Sequence, residues 1–317
     1  IFNDETYQLD LLQAATIGRR LQIEASVEHI NQQLAEGAHT IELQYDYSNP
    51  EVTSEATAPE LGITELVEEQ TTYFYGSSAE RMQNIATAAS RFHGLLVAPG
   101  EVFSMVDNIG DISLDSGFAE ALIIYGDRTI KGVGGGVCQV STTLFRTVFF
   151  GGFPVVERSS HAYRVYYYEL NASNHVDSRY AGLDATVYAP IVDFKFQNDT
   201  PYWLLMETYV NIPARTITWK FYSTDDGRSV EWDSTGLQNI VEAPDTVYEE
   251  NSDFAQGEVK KVDYAADGAD VTVYRTVMRD GQVLYDDVFQ THYRPWAEVI
   301  QYGPGTPGYP PEDNNND

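Results

Sequence analysis

The chain has 317 residues, with 19 Lys and Arg against 48 Asp and Glu and a net charge of −29. That charge repels nucleic-acid phosphate and anionic lipid surfaces, so it argues against both as partners. The length suits two or three domains. No apolar run reaches the ~18 residues of a membrane span, and the single cysteine cannot form an internal disulfide. The sequence begins without Met, which points to a processed chain or a segment of a longer one, with any leader or membrane anchor expected outside it.

In chain order, the first sixty residues read as a small α/β module. Val27, Ile30 and Leu34 mark one face of a helix ending at Gly37, and residues 40–45 alternate as a strand would. The polar, proline-bearing stretch 53–59 predicts a boundary. Ser77 with Glu80 three positions later is a capping-box pattern; Ile85, Ala88, Ala89 and Phe92 form one helical face, and Gly94 suits the C′ position. Next, the glycine run Gly134–Gly136 leads into a helix. Val140, Leu144, Phe145 and Val148 recur at helical spacing until Gly151, Gly152 and Pro154 stop them. Residues 161–168, 185–188, 194–196 and 202–210 are rich in aromatic and β-branched types and read as strands.

From Pro244 onward the pattern is short strands at 257–264, 270–278 and 283–293, with an Asp280-Gly281 hairpin signal. This predicts a small all-β module with few groups suited to chemistry. Residues 305–317 are polar and read as a disordered tail. The expected fold class is α+β: a helix-plus-sheet domain carrying the cysteine on a helix, flanked by the α/β and all-β modules. The boundaries fall at 1–62, 63–240, 241–304 and 305–317.

Cys138 falls in the first turn of the predicted helix, directly after three glycines and Val137. Unpaired N–H groups and the helix dipole favour an anion there, and a thiol of ordinary pKa ~8.5 can drop to roughly 3.5–7.5. A packed core position needs no glycine run, whereas a site approached closely by substrate backbone does. His161 follows 23 positions later (161 − 138) at the head of an aromatic run. A helix-borne Cys and a strand-borne His are the parts of a cysteine acyl-transfer site. No Cys/His set has zinc spacing, so neither metal nor cofactor is required.

Several segments together resemble one family. Residues 80–85, Pro99 to Ser104, Gly117-Phe118, Gly132 to Leu144, Glu157-Arg158 with His161, and Gly182 to Val187 look like a VanW domain. The match is ordered over roughly residues 72–225. The Gly-Gly-Gly-Val-Cys-Gln-Val-Ser-Thr block is its most specific part. Residues 1–62 are similar to the C-terminal part of a peptidoglycan-binding domain that often precedes VanW domains, and the last module resembles a G-five domain.

The resemblance implies a bacterial cell-wall enzyme, extracellular or at the cell surface, acting on peptidoglycan stem peptides by L,D-transpeptidation. It implies Cys138 as nucleophile, His161 as base and Asp184 as the group orienting His161. Arg158 would stabilise the thiolate or hold a stem carboxylate, and backbone N–H groups around Gly135, Gly136 and Cys138 would bind the oxyanion, with Gln139 and Ser141 grouped among the binding residues. The aromatic surround of Tyr163, Tyr166, Tyr167 and Tyr168 would restrict water and hold the acceptor. A fragment of residues 64–240 is expected to keep the chemistry, with the flanks serving wall retention. Two departures bear on substrate preference: Ala162 stands where the family has a hydroxyl residue, followed by Tyr163-Arg164 in place of smaller neighbours, and residues 169–178 are expanded. A thiol peptidoglycan hydrolase or amidase, and a non-catalytic wall-binding protein, are the competing readings.

Overall fold

The structure is a computed structural model describing residues 1–125 and 128–311. It divides into two compact units, Ile1–Leu61 and Gly62–Asp317. In the first, the helix Ile23–Ala35 stops before Gly37, whose φ of 85° only glycine adopts without strain. The strand expected at 40–45 instead lies at Tyr45–Ser48, paired antiparallel with Gly18–Leu21. Val27 and Leu34 are exposed, so the predicted apolar face is not a core face.

The second unit is built around the cysteine helix, Val137–Phe150. Val140, Leu144, Phe145, Val148 and Phe149 are all buried, as their spacing predicts. The helix is also buried on its polar side, because it runs between two sheets. One is an antiparallel four-stranded sheet in the order Glu65–Tyr73, Thr216–Ser223, Leu204–Asn211, Leu95–Val97. A hydroxyl pair, Thr72 and Thr143 at 2.6 Å, satisfies the polar contact on that side. The helix Ala79–Ser90 packs beside it, capped by Ser78, one residue after the expected Ser77.

The other sheet joins Arg228–Ser234 to the long hairpin Gly268–Arg279 and Gln282–Tyr293. Asp280 and Gly281 both have positive φ, as the Asp-Gly signal requires. Phe289 on this hairpin packs edge-on against Phe145 at 5.8 Å and against Phe149 at 5.5 Å. The hairpin therefore belongs to the core around the cysteine helix, not to a detached module. Beyond it, Val259–Asp263, Val299–Tyr302 and Val247–Glu250 form a three-stranded sheet.

Three expectations fail locally, the first being the strand at 185–188, where only isolated bridges form at Thr186 and Tyr188. Residues 161–168 are not a strand: His161 lies in a loop, and Tyr166–Glu169 form a 3₁₀ turn held by the Arg164–Glu169 pair at 2.6 Å. A side-chain ion pair and ring packing override the weak strand preference of the tyrosines. Residues 305–311 are packed against the β module, with Thr306 buried and bonded to Gly257 N–H at 2.8 Å and Tyr309 against Tyr302. The remainder of the expected tail, 312–317, lies outside the described residues.

Candidate active site

Three segments converge at the start of the cysteine helix. The first is the glycine loop. Gly134 and Gly136 adopt φ of 90° and 119°, and a Cβ on Gly135 would lie 2.4 Å from the Leu122 carbonyl oxygen. On Gly136 it would lie 2.9 Å from that of Arg81. The glycines are thus required by turn geometry and by the protein's own neighbouring backbone, a requirement that does not depend on substrate. They deliver Cys138 as the second residue of the helix, half-buried, with its Sγ 3.3 Å from Thr186 Oγ1 and 3.6 Å from the Val187 carbonyl.

The second and third segments carry His161 and Asp184. An isolated bridge between Ser159 and Thr186, closed by Thr186 N–H donating to Ser159 O at 2.8 Å, lays them side by side. His161 and Asp184 are 4% and 3% exposed. The Asp184 Oδ2 accepts both the His161 backbone N–H at 2.7 Å and its ring Nδ1 at 2.6 Å. Asp184 thus occupies Nδ1 and leaves Nε2 as the ring nitrogen for the thiol, and the charges of His161 and Cys138 favour one another. Burial pushes the Cys138 pKa up, but the hydrogen bond and positive charge of His161, with the Thr186 hydroxyl, outweigh it and bring the thiol down to about 7. Burial disfavours the imidazolium too, yet bonding to Asp184 and Cys138 raises the His161 pKa. Asp184 is held well below the usual carboxylate range: its burial is overcome by His161, Arg158 and Tyr293.

The other expected residues are placed differently. Arg158 donates to the Asp184 backbone carbonyl at 2.7 Å, the Gly182 carbonyl at 2.8 Å and Thr291 Oγ1 at 3.0 Å, and lies 3.4 Å from Asp184 Oδ1. Its guanidinium braces the aspartate and is consumed by internal partners, so it is not presented to a stem carboxylate. Gln139 is fully buried, donating to Thr72 Oγ1 at 2.7 Å and accepting from Arg81 at 3.0 Å. Ser141 donates to the Ala185 carbonyl at 2.6 Å. Both are fully buried and tie the helix to its surroundings. Of the aromatic run, Tyr168 lies against His161 at a ring separation of 5.0 Å, and Tyr167 sits under the Arg81 guanidinium at 4.8 Å. Tyr163 instead stacks on Trp296, and Tyr166 is 55% exposed.

Residues that sequence reasoning did not assign include Thr186, Arg146, Thr291 and Tyr293. Thr186 lies two positions beyond Asp184 in a segment already singled out, so alternation could have found it. Arg146, buried in the cysteine helix, donates to the carbonyls of Leu183 at 2.8 Å and Tyr168 at 2.5 Å and fixes both neighbours of the site. Tyr293 and Thr291 come from the distant hairpin and carry no local signal.

A thiol, an imidazole and a carboxylate thus lie in neighbouring segments of an α+β frame. The VanW like protein family model matches residues 80–222, and the G5 domain model matches residues 238–305. The chain carries a VanW domain followed by a G5 domain. It is 36% identical over 135 residues to the uncharacterized protein YoaR of Bacillus subtilis (strain 168), covering 43% of this chain and 41% of that protein. It is 30% identical over 117 residues to the vancomycin B-type resistance protein VanW of Enterococcus faecalis (strain ATCC 700802 / V583), covering 37% and 40%. The chain thus spans about two fifths of the length of these curated relatives. Among solved structures, HP0197-G5 aligns at 15% identity and a TM-score of 0.12, covering 24% of this chain and 97% of that one. The IgA1 protease G5 domain aligns at 14% and 0.15, covering 24% and 90%. Among the described residues no helix is long and apolar enough to cross a membrane.

Proposed function

We propose that the chain is a cell-wall acyltransferase, an L,D-transpeptidase that joins peptidoglycan stem peptides through a thioester on Cys138. The observation that carries this reading is the Cys138–His161–Asp184 relay, with Asp184 Oδ2 2.6 Å from Nδ1 and the thiol brought down to about 7. The thiolate attacks the carbonyl of the diamino-acid residue before a terminal D-Ala. The C–S bond forms, the C–N bond to D-Ala breaks, and His161 Nε2 gives its proton to the departing amine. A side-chain amine of a second stem then loses a proton to His161 and displaces the thiolate, so no oxidant, reductant or water is consumed.

Asp184 holds the imidazole in the tautomer and orientation that both steps need. The N–H groups of Gly136 and Cys138 have no backbone partner among the described residues and serve as oxyanion donors, a contribution of roughly 3 kcal/mol in comparable sites. Tyr168 covers one face of the imidazole and keeps water from it. The site operates outside the cell, with the N-terminal unit and the G5 domain contributing wall binding.

The test is product analysis after mixing the full chain with a defined disaccharide-tetrapeptide. The expected outcome is D-Ala release with dimers linked between two diamino-acid residues, and exchange of the terminal D-Ala when another D-amino acid is supplied. Both should vanish in Cys138→Ala and fall strongly in His161→Ala. Tripeptide stems alone, without dimers or exchange at high acceptor concentration, would replace transfer with hydrolysis.

A further inference from the structure

The G5 domain reaches the site through the end of one strand. Thr291 and Tyr293 are two positions apart on Gln282–Tyr293, so the pleat turns both toward the same face. Both are buried there. The Tyr293 hydroxyl donates to Asp184 Oδ1 at 2.5 Å and accepts the Gly182 N–H at 3.0 Å. Thr291 Oγ1 accepts from Arg158 at 3.0 Å, and Arg158 in turn clamps the backbone carbonyls of Gly182 and Asp184. Directly after the strand, Arg294 N–H donates to the Ala162 carbonyl at 2.8 Å, and Trp296 stacks on Tyr163 at a ring separation of 4.3 Å. Thr129, on the strand Arg128–Val133 that leads into the glycine loop, adds a further bond to Asp263 of the G5 sheet, Oγ1 to Oδ1 at 2.6 Å.

These contacts divide the work on Asp184. Oδ2 serves His161, and Oδ1 is tethered by a phenol that is itself anchored to the backbone two residues upstream. A carboxylate held by Oδ2 alone is free to rotate about its Cβ–Cγ bond and to let the imidazole swing with it. A displacement of about 1 Å at a reacting group can cost on the order of a hundredfold in rate. Burial and the neighbouring Asp184 charge raise the Tyr293 pKa well above its ordinary value, so the phenol remains a proton donor across the working range.

We propose that Tyr293 is a positioning residue for the Cys138 site and that the G5 domain, through Tyr293 and Thr291, is a structural part of that site. This rests on the reading of Cys138, His161 and Asp184 as the reacting groups.

The test uses the full chain carrying Tyr293→Phe or Thr291→Val. Alkylation of Cys138 by iodoacetamide is followed by intact mass between about pH 5 and 10, beside the kinetics of D-Ala release. Tyr293→Phe should lower kcat by about ten- to a hundredfold with little change in KM, and move the alkylation midpoint up toward ~8.5. Thr291→Val should shift both in the same direction by less. A low wild-type midpoint that neither variant moves, with kcat retained and only the melting temperature reduced, would leave the contacts merely structural and overturn the proposal. A wild-type midpoint already at or above ~8.5 would remove the thiolate reading and this proposal together.

Discussion

At the residue scale, the chemistry rests on two opposed shifts within one buried cluster. The Cys138 thiol is brought down to about 7 while the His161 imidazolium is raised. The ion pair is therefore populated between about pH 7 and about pH 10, lost below as the thiolate is protonated and above as His161 gives up its proton. The rate of Cys138 alkylation should rise through that pH, not through the ~8.5 of a free thiol. Asp184→Asn removes the acceptor that raises His161, so the thiol midpoint should move upward and kcat should fall by roughly 10²–10⁴-fold. An unchanged pH profile in that variant would deny Asp184 its orienting role. Cys138 and His161 stood out by their local setting and Asp184 only through the family resemblance; the structure brings the His161 ring and the Asp184 carboxylate into contact at 2.6 Å. Gln139, Ser141 and Arg158 were legible as conspicuous polar residues but not as internal braces, because sequence does not reveal that their partners are buried carbonyls and side chains.

The cysteine helix carries the argument at the scale of elements. Its apolar spacing and glycine stop signals predict it well, since helix periodicity and caps are local properties. Its environment is not local: the Arg275 guanidinium, fully buried, donates to the carbonyls of Phe149 and Phe153 at the helix C-terminus and pairs with Asp287 at 2.6 Å. A cation there complements the helix dipole and satisfies carbonyls that the last turn leaves open. Arg275→Ala leaves those groups bare and should cost about 3 kcal/mol or more in urea unfolding. At the other end, Gly136→Ala places a Cβ 2.9 Å from the Arg81 carbonyl at a φ of 119°. It should lower stability by about 1–3 kcal/mol; a neutral result would mean the loop relaxes freely. The misreading of residues 161–168 as a strand has a physical origin as well. Aromatic composition records what a segment can pack against, and here the rings pack against His161, Arg81 and Trp296, not across a ladder.

At the scale of the whole molecule, the order of modules was readable, but their interlocking was not. Strand Arg228–Ser234, within the expected catalytic stretch, pairs with Gly268–Arg279 of the G5 domain, and long-range pairing of that kind leaves no mark on either strand alone. The expectation that residues 64–240 suffice for chemistry should therefore fail. A fragment of 62–240 loses Tyr293, Thr291 and Arg275 and should be inactive and destabilised, whereas 62–311 should retain D-Ala release from soluble substrates. Sedimentation with insoluble sacculi then reports separately on wall binding by residues 1–61. The central claim, that Cys138 carries the acyl group, is tested most directly by intact-mass spectrometry of the full chain, acid-quenched during turnover of a tetrapeptide substrate. The account predicts an adduct equal to the donor minus D-Ala, localised to Cys138 and absent from Cys138→Ala. Undiminished turnover in Cys138→Ala, or an adduct on any other residue, would contradict it.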